Sequence, residues 1–308
     1  MNRYKRNFPA VAPGTSLWKG LVVTDYNAIA HLYRETKRLP IKEYCEAFTF
    51  FHVLAAVEGL AVLDVACGDG YYTRALKRQG AGRVIGIDSS PTMITYATSE
   101  EAAHPLGIEY VVGAVETMGI LGVFDLVTAA YLLVHATTRV QLAAMCQAIS
   151  QQLTPGGRFV SLTINPHLAI DQLPRLDHYH SSVTVPGPLY DGAPLDVTML
   201  TGSGPVYIRD YYWSQATYEA VLHETGFGQI VWHAMRVSAV GEQRYGSAYW
   251  HAFLTHPTIV VLEAQKVRAA GHGGGPQGAV TQSARRSGDN STVSGSIHAS
   301  VGLERRDG

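Results

Sequence analysis

Val62-Leu63-Asp64-Val65-Ala66-Cys67-Gly68-Asp69-Gly70-Tyr71-Tyr72 is a short apolar run that breaks into an acidic, glycine-containing turn. A second apolar run, Arg83 to Asp88, also ends in an acid. The distance from Gly68 to Asp88 suits one strand–loop–helix–strand unit. In such a unit the turn's backbone holds a nucleotide-like ligand, and the second acid reaches its ribose hydroxyls.

Apolar strand patterns alternate with helical ones around this unit. The strands are expected at Ala61–Ala66, Arg83–Asp88, Ile108–Val112, Phe124–Ala130 and Arg158–Ile164, with helices near 71–79, 91–103 and 138–153. Thr154-Pro155-Gly156-Gly157 is a turn signal before the fifth strand. This alternation predicts an α/β fold with mainly parallel strands covered on both faces. Two amphipathic helices come first. Thr24 is a cap for one, with Tyr26, Ile29, Ala30 and Tyr33 on its apolar face; Pro40 opens the other, with Tyr44, Phe48, Phe51 and Ala55. Residues 1–23 read as an arm, which allows contact with a second copy. From Pro166 to Trp213 the prolines, glycines and tyrosines predict a lid of short strands, residues 166–213. Ser214 then caps a helix, Gln215 to Glu224, and strands follow at Gln229–Met235 and Thr258–Ala264. From Val267 onward aromatic residues are lacking and Gly and Ser abound, so residues 267–308 are expected to be disordered.

Bulk properties narrow the function. With 308 residues and 46% hydrophobic composition the chain can bury a large core. A net charge of -1 gives no global attraction to nucleic acid or to an anionic membrane, and no apolar run is long enough to span a bilayer. Cys45, Cys67 and Cys146 lie far apart without metal-type spacing, as expected of reduced thiols in a cytoplasmic protein. Asp177-His178-Tyr179-His180 lacks a fourth ligand and a rigid frame, so no metal is expected.

The turn also discriminates between ligands. A dinucleotide site wants a small residue where Thr73 stands, and Asp64 and Asp69 put negative charge where a pyrophosphate would sit. A cationic, phosphate-free nucleoside fits better. Asp64-Val-Ala-Cys-Gly68-Asp-Gly70, Gly86-Ile-Asp88-Ser89-Ser90-Pro-Thr-Met93, Phe124-Asp125-Leu-Val and Leu153-Thr-Pro-Gly-Gly157 resemble, in order and spacing, the motifs of class I S-adenosylmethionine-dependent methyltransferases. The resemblance covers about residues 24–266 and implies a Rossmann-like, seven-stranded domain. Tyr26-Asn-Ala-Ile-Ala, Lys37–Glu46 and Ala129-Ala-Tyr131-Leu-Leu resemble its small-molecule, toxoflavin-synthase-like group. A further resemblance is to the teleocidin-type terpenoid-indole C-methyltransferase, whose methyl transfer starts a ring closure.

The resemblance implies S-adenosylmethionine as cofactor and assigns roles. Gly68 and Gly70 admit the methionine part, and Asp64 supports their loop. Asp88, followed by Ser89, takes the ribose hydroxyls, and Met93 covers the adenine. Tyr26 and Tyr33 close the pocket, while Ala129, Ala130 and Tyr131 line the boundary with the acceptor. Ala114 and Val115 border the adenine; Ala114 stands where this class often has an Asp, which leaves backbone groups or Glu116 to hold the adenine amino group.

For catalysis, His135 follows the fourth strand at its carboxyl end and is a candidate base or substrate donor. Asn165 past the fifth strand is a candidate for orienting the substrate, as are Tyr207 and Tyr211 in the lid. An aromatic lid of Tyr190, Tyr207, Tyr211, Tyr212 and Trp213 would suit a flat or greasy secondary metabolite. It would also stabilise a carbocation by about 1–2 kcal/mol per desolvated ring. Methylation of an alkene carbon or a heterocycle nitrogen is therefore expected. The alternatives are a nucleic-acid methyltransferase and a non-methylating S-adenosylmethionine-binding protein. The first expects a polar Asn/Asp-Pro-Pro-aromatic run where Ala129-Ala-Tyr-Leu-Leu stands; the second is open because fold does not dictate function.

Overall fold

The computed structural model describes residues 25–173 and 176–268; the expected arm and all but the start of the expected tail lie outside them. Helix α1 (Tyr26–Thr36) is capped by Asp25, whose side chain accepts from Asn27 N, one residue later than the expected cap. Tyr26, Ile29, Ala30 and Tyr33 form its inward face as expected. Pro40 then opens a π-helical turn, Ile41–Glu46, that runs into α2 (Ala47–Leu54). The wider turn rotates the residues after it. Phe48 and Ala55, expected on the buried face, are exposed, and Phe50, Val53 and Leu54 point inward instead.

The alternation follows as β1 (Val62–Val65), α3 (Tyr71–Arg78), β2 (Val84–Asp88), α4 (Pro91–Ala103), β3 (Glu109–Val112), β4 (Phe124–Ala130), α5 (Arg139–Gln152) and β5 (Leu153–Ile164). The strand begins at Leu153, not Arg158, because Thr154-Pro155-Gly156-Gly157 forms a bulge in the β4–β5 ladder between Phe124↔Leu153 and Leu126↔Arg158. After β5 come α6 (Leu176–Tyr179), β6 (Ser181–Thr184), β7 (Pro194–Leu200) and β8 (Pro205–Tyr211). These three strands form a separate antiparallel sheet, β6-β7-β8. Ser214 caps α7 (Gln215–Glu224), the helix expected residue for residue. Between β9 (Phe227–His233) and β10 (Ile259–Lys266) stand α8 (Ala239–Tyr245) and α9 (Ser247–Thr255), which no helical pattern had signalled.

The main sheet has seven strands in the order β3-β2-β1-β4-β5-β10-β9. Strands β1 to β5 are parallel, and β10 runs antiparallel to both neighbours. This is the expected Rossmann-like class I architecture. Neighbouring residues of one strand serve opposite faces: Leu63 and Val65 pack toward α5 and α7, while Val62 packs toward α2 and α3. Chain order reverses between β1 and β4, which opens a crevice at their carboxyl ends. Among the described residues no helix is long and apolar enough to cross a membrane.

Candidate active site

The glycine turn after β1 is shaped by backbone conformations that few side chains tolerate. Gly68 and Gly70 have φ of +57° and +79°. A Cβ on Gly68 would meet nothing within 4 Å, so the space above it is open for a ligand. Asp64 is buried beneath the turn; its two oxygens accept from Thr128 Oγ1 at 2.8 Å and Thr73 Oγ1 at 2.6 Å. Burial pushes its carboxyl up to about 6. Gly86 on β2 is needed for closeness: an added Cβ would lie 2.8 Å from the Tyr110 ring and 3.0 Å from Cys67 Sγ. Gly86→Ala should therefore cost about 1–3 kcal/mol of stability, the usual penalty for overpacking, read from urea unfolding.

Asp88 ends β2 with its carboxylate aligned by backbone donors. Gly68 N donates to Oδ2 and Ser90 N to Oδ1, both at 2.8 Å. Burial raises its pKa, against those two donors. Ser89 is exposed beside it. Gly113 N bonds to Asp88 O at 2.9 Å, which brings Ala114 and Val115 to the same edge. Glu116 is exposed and accepts from Gln141 Nε2 at 3.0 Å, which turns it toward α5. Met93 is buried in α4.

Helix α1 lies across this crevice. Asn27 Oδ1 accepts from Ser90 Oγ at 2.7 Å and Thr92 N at 3.2 Å. Arg34 Nε donates to Asp69 at 3.2 Å, and Arg74 also faces that carboxylate. The charge of Asp69 is thus met by arginines from α1 and α3, so repulsion of a phosphate by Asp69 no longer argues about the ligand. Tyr33, Lys37, Asp64, Gly68 and Ala130 help line a small cavity. Lys37 Nζ lies 4.9–5.8 Å from the ring centres of Tyr33, Tyr71 and Tyr72. Gly68, Asp88 and Lys37 offer a backbone approach, a diol acceptor and a cation for a carboxylate, which fits an adenosyl amino acid. When bound, S-adenosylmethionine supplies an electrophilic methyl group.

A second, larger cavity adjoins it under the inserted sheet. Its walls are mainly apolar, with aliphatic residues such as Ile164, Val197, Met199 and Ile208 beside the rings of Tyr26, Tyr33, Tyr131 and Phe253. One end is polar. There Lys42 Nζ donates to Glu46 Oε2 at 2.6 Å and to Tyr131 OH at 2.9 Å. Tyr131 OH donates to Glu46 in a short bond, and Tyr72 OH does so at 2.6 Å. Burial opposes the Glu46 charge, but Lys42 and Lys37 outweigh it and hold the carboxyl below its usual range. Tyr131 has φ +68°, a strained conformation for a non-glycine residue, and the π-helical turn supplies both Lys42 and Glu46.

Tyr26 lines the larger cavity and His135 lines neither, and Tyr26 OH and His135 Nε2 are 3.1 Å apart. His135 Nδ1 lies 3.4 Å from Asp210 Oδ1, yet that buried oxygen has no aligned hydrogen bond. Burial pushes His135 down to about 4 and Asp210 up to about 7. Sequence reading missed Asp210, Lys42 and Glu46. Strand alternation explains the first. On β8, Val206, Ile208 and Asp210 are buried, whereas Tyr207 is exposed and Tyr211 half-buried on the other face. Tyr207 and Tyr211, expected to contact substrate, therefore lie off the cavity, which Ile208 and Asp210 line instead. Asn165 does not line the cavity either: its amide donates to Pro257 O at 2.8 Å and its oxygen accepts from His167 N at 2.9 Å. Tyr212 and Trp213 are core residues bonded to Pro166 O and Ala136 O, and Tyr190 is exposed. None of these five lid rings lines the cavity; its aromatic lining comes from Tyr26, Tyr33, Tyr131 and Phe253 instead.

Residues 62–157 match a family model described as a methyltransferase domain. The chain is 28% identical over 179 residues to the N-demethylindolmycin N-methyltransferase of Streptomyces griseus, covering 55% of this chain and 70% of that protein. It is 36% identical over 112 residues to a ubiquinone biosynthesis O-methyltransferase of Rhodopseudomonas palustris, covering 36% of this chain and 42% of that protein. The chain thus spans less than half the length of that second relative. The crystal structure of an S-adenosylmethionine-dependent methyltransferase from Mesorhizobium loti shares the fold, with a TM-score of 0.53 at 18% identity over 75% of this chain and 100% of that one.

Proposed function

Because the chain is an S-adenosylmethionine-dependent methyltransferase, we propose that it methylates a small, largely apolar secondary metabolite on nitrogen or carbon. The observation that carries this reading is the shared wall: Tyr33 lines both cavities, and the adjacent residues Ala130 and Tyr131 line one each. An acceptor in the larger cavity therefore lies next to the methionine end of the cofactor. The chain's own residues then align the acceptor, exclude water and receive any proton it must lose.

On this reading residues 24–266 form the working domain and the inserted segment 166–213 closes the acceptor cavity. The relatives support a small acceptor, since one is named for indolmycin and the other for ubiquinone biosynthesis. The mainly apolar lining supports a greasy body, and nitrogen is favoured by the relative named for N-methylation. Purified protein, given methyl-deuterated S-adenosylmethionine and a cell extract, should place labelled methyl on a small molecule with matching release of S-adenosylhomocysteine. Label in RNA or DNA, or in nothing at all, would sink the reading.

A further inference from the structure

We propose that Asp210 recognises an acceptor bearing an N–H group and takes that proton as the nitrogen is methylated; this rests on the methyltransferase reading above. Asp210 is 5% exposed and lines the acceptor cavity, and its buried Oδ1 has no aligned donor in the protein. A buried carboxylate oxygen without a donor is costly unless a ligand completes it. Lys42 gives two of its three N–H donors to Glu46 and Tyr131 and none to this oxygen, and His135 Nδ1, 3.4 Å away, is not aligned on it. The polar end of the cavity thus holds two carboxylates against one ammonium.

That sign selects the acceptor. A phenolate would be repelled by Asp210, whereas positive charge growing on an attacking nitrogen is stabilised by it. In the reaction the nitrogen lone pair forms a bond to the methyl carbon. The carbon–sulfur bond breaks, and its electron pair stays on sulfur as the neutral thioether of S-adenosylhomocysteine. The N–H proton passes to the Asp210 carboxylate. One sulfonium charge and one carboxylate charge disappear together, so the buried site ends neutral.

The groups facing Asp210 leave this assignment intact. Tyr26 and Tyr33 from α1 and Tyr218 from α7 are pushed upward by burial and stay neutral. His135, after β4, is pushed down to about 4 by burial and is neutral above that pH. Lys42, from the π-helical turn, carries the compensating charge of Glu46.

The probes are N-methylaniline, neutral at the pH used, and its oxygen isostere, anisole, titrated against the full chain saturated with S-adenosylhomocysteine and followed by ligand-observed NMR. The amine should bind at least about tenfold more tightly than the ether, the low end for a hydrogen bond to a charged group. In Asp210→Asn the preference should vanish, and release of S-adenosylhomocysteine from S-adenosylmethionine with the amine should fall about 100-fold or more. Wild-type protein gives a check that needs no variant. Burial raises Asp210 to about 7, so its carboxylate form, and the preference with it, is full above that pH and lost as pH falls through it. Equal affinity for the two probes (including no binding of either), a preference kept in a folded Asp210→Asn, or undiminished turnover in that variant would overturn the proposal. Failure of S-adenosylhomocysteine itself to bind would overturn the methyltransferase reading, and this proposal with it.

Discussion

Asp88→Ala should lower the affinity for S-adenosylmethionine by roughly 100- to 1,000-fold while the protein stays folded. The carboxylate sits at the end of β2 with one backbone N–H on each oxygen, from Gly68 and Ser90. Each oxygen keeps a further lone pair, and the pair of oxygens matches two vicinal ribose hydroxyls. Two charge-assisted hydrogen bonds, each worth about 1.5–3 kcal/mol, account for a loss on that scale. Alanine also removes the acceptor that orients Gly68, so the turn loosens where the methionine part should lie. Asp88→Asn keeps one acceptor and should fall between the two. Isothermal titration with S-adenosylhomocysteine reads all three affinities, and a thermal melt verifies the fold. An unchanged Kd in Asp88→Ala would move the ribose site elsewhere.

Glu46→Gln should destabilise the protein by about 3–5 kcal/mol, as expected when one member of a buried ion pair is removed. Glu46 is fully buried and Lys42 is 8% exposed, so the ammonium left behind has little access to water. The amide keeps the size of the side chain but not its charge, and the Tyr72 and Tyr131 hydroxyls then compete for one acceptor oxygen. The same pair makes stability depend on pH. Because the Glu46 carboxyl is held below its usual range, its stabilisation is present above the unfolded value of about 4.3 and lost as pH falls through the folded value. Urea unfolding at neutral and acid pH measures both effects. A Glu46→Gln midpoint like wild type at neutral pH would show that Lys42 finds another partner.

The cofactor half of the site was legible because it depends on local chain features. A glycine turn, an acid at a set distance and a strand–helix alternation are consecutive in sequence, and the hydrogen bonds of Asp64, Gly68 and Asp88 follow from them. Helix α7 was equally readable, since Ser214 and Gly226 punctuate it at both ends. The acceptor half comes from three distant segments, the π-helical turn, the end of β4 and the inserted sheet. Lys42 and Glu46 stand four apart, a visible helical pair, but their burial is decided by packing against Tyr131. The π-helical turn also defeated the α-helical period used for the face of α2. Asp210 was hidden by its aromatic neighbours, which drew attention to the wrong face of β8. Counting alternate positions back from Asp210 through Ile208 to Val206 would have revealed it. Helices α8 and α9 are short and separated by Gly246 at φ +79°, so neither shows a sustained period; Ser238 as a cap was the one available signal.

Helix α1 is tied on both sides. Asn27 and Arg34 bind it to the rim of the cofactor crevice, while Glu35 accepts from Ser203 in the inserted segment and Leu32 and Tyr33 pack with Met199 and Ile208. One helix thus lines both candidate sites, so a shift of α1 at one cavity is a shift at the other. Cofactor and acceptor affinities are therefore expected to be coupled, and whatever factor the first adds to the second must be returned in full. That factor can be read from either side, as the change in one ligand's Kd when the other is saturating; equal values with and without the second ligand would show α1 to be an inert wall.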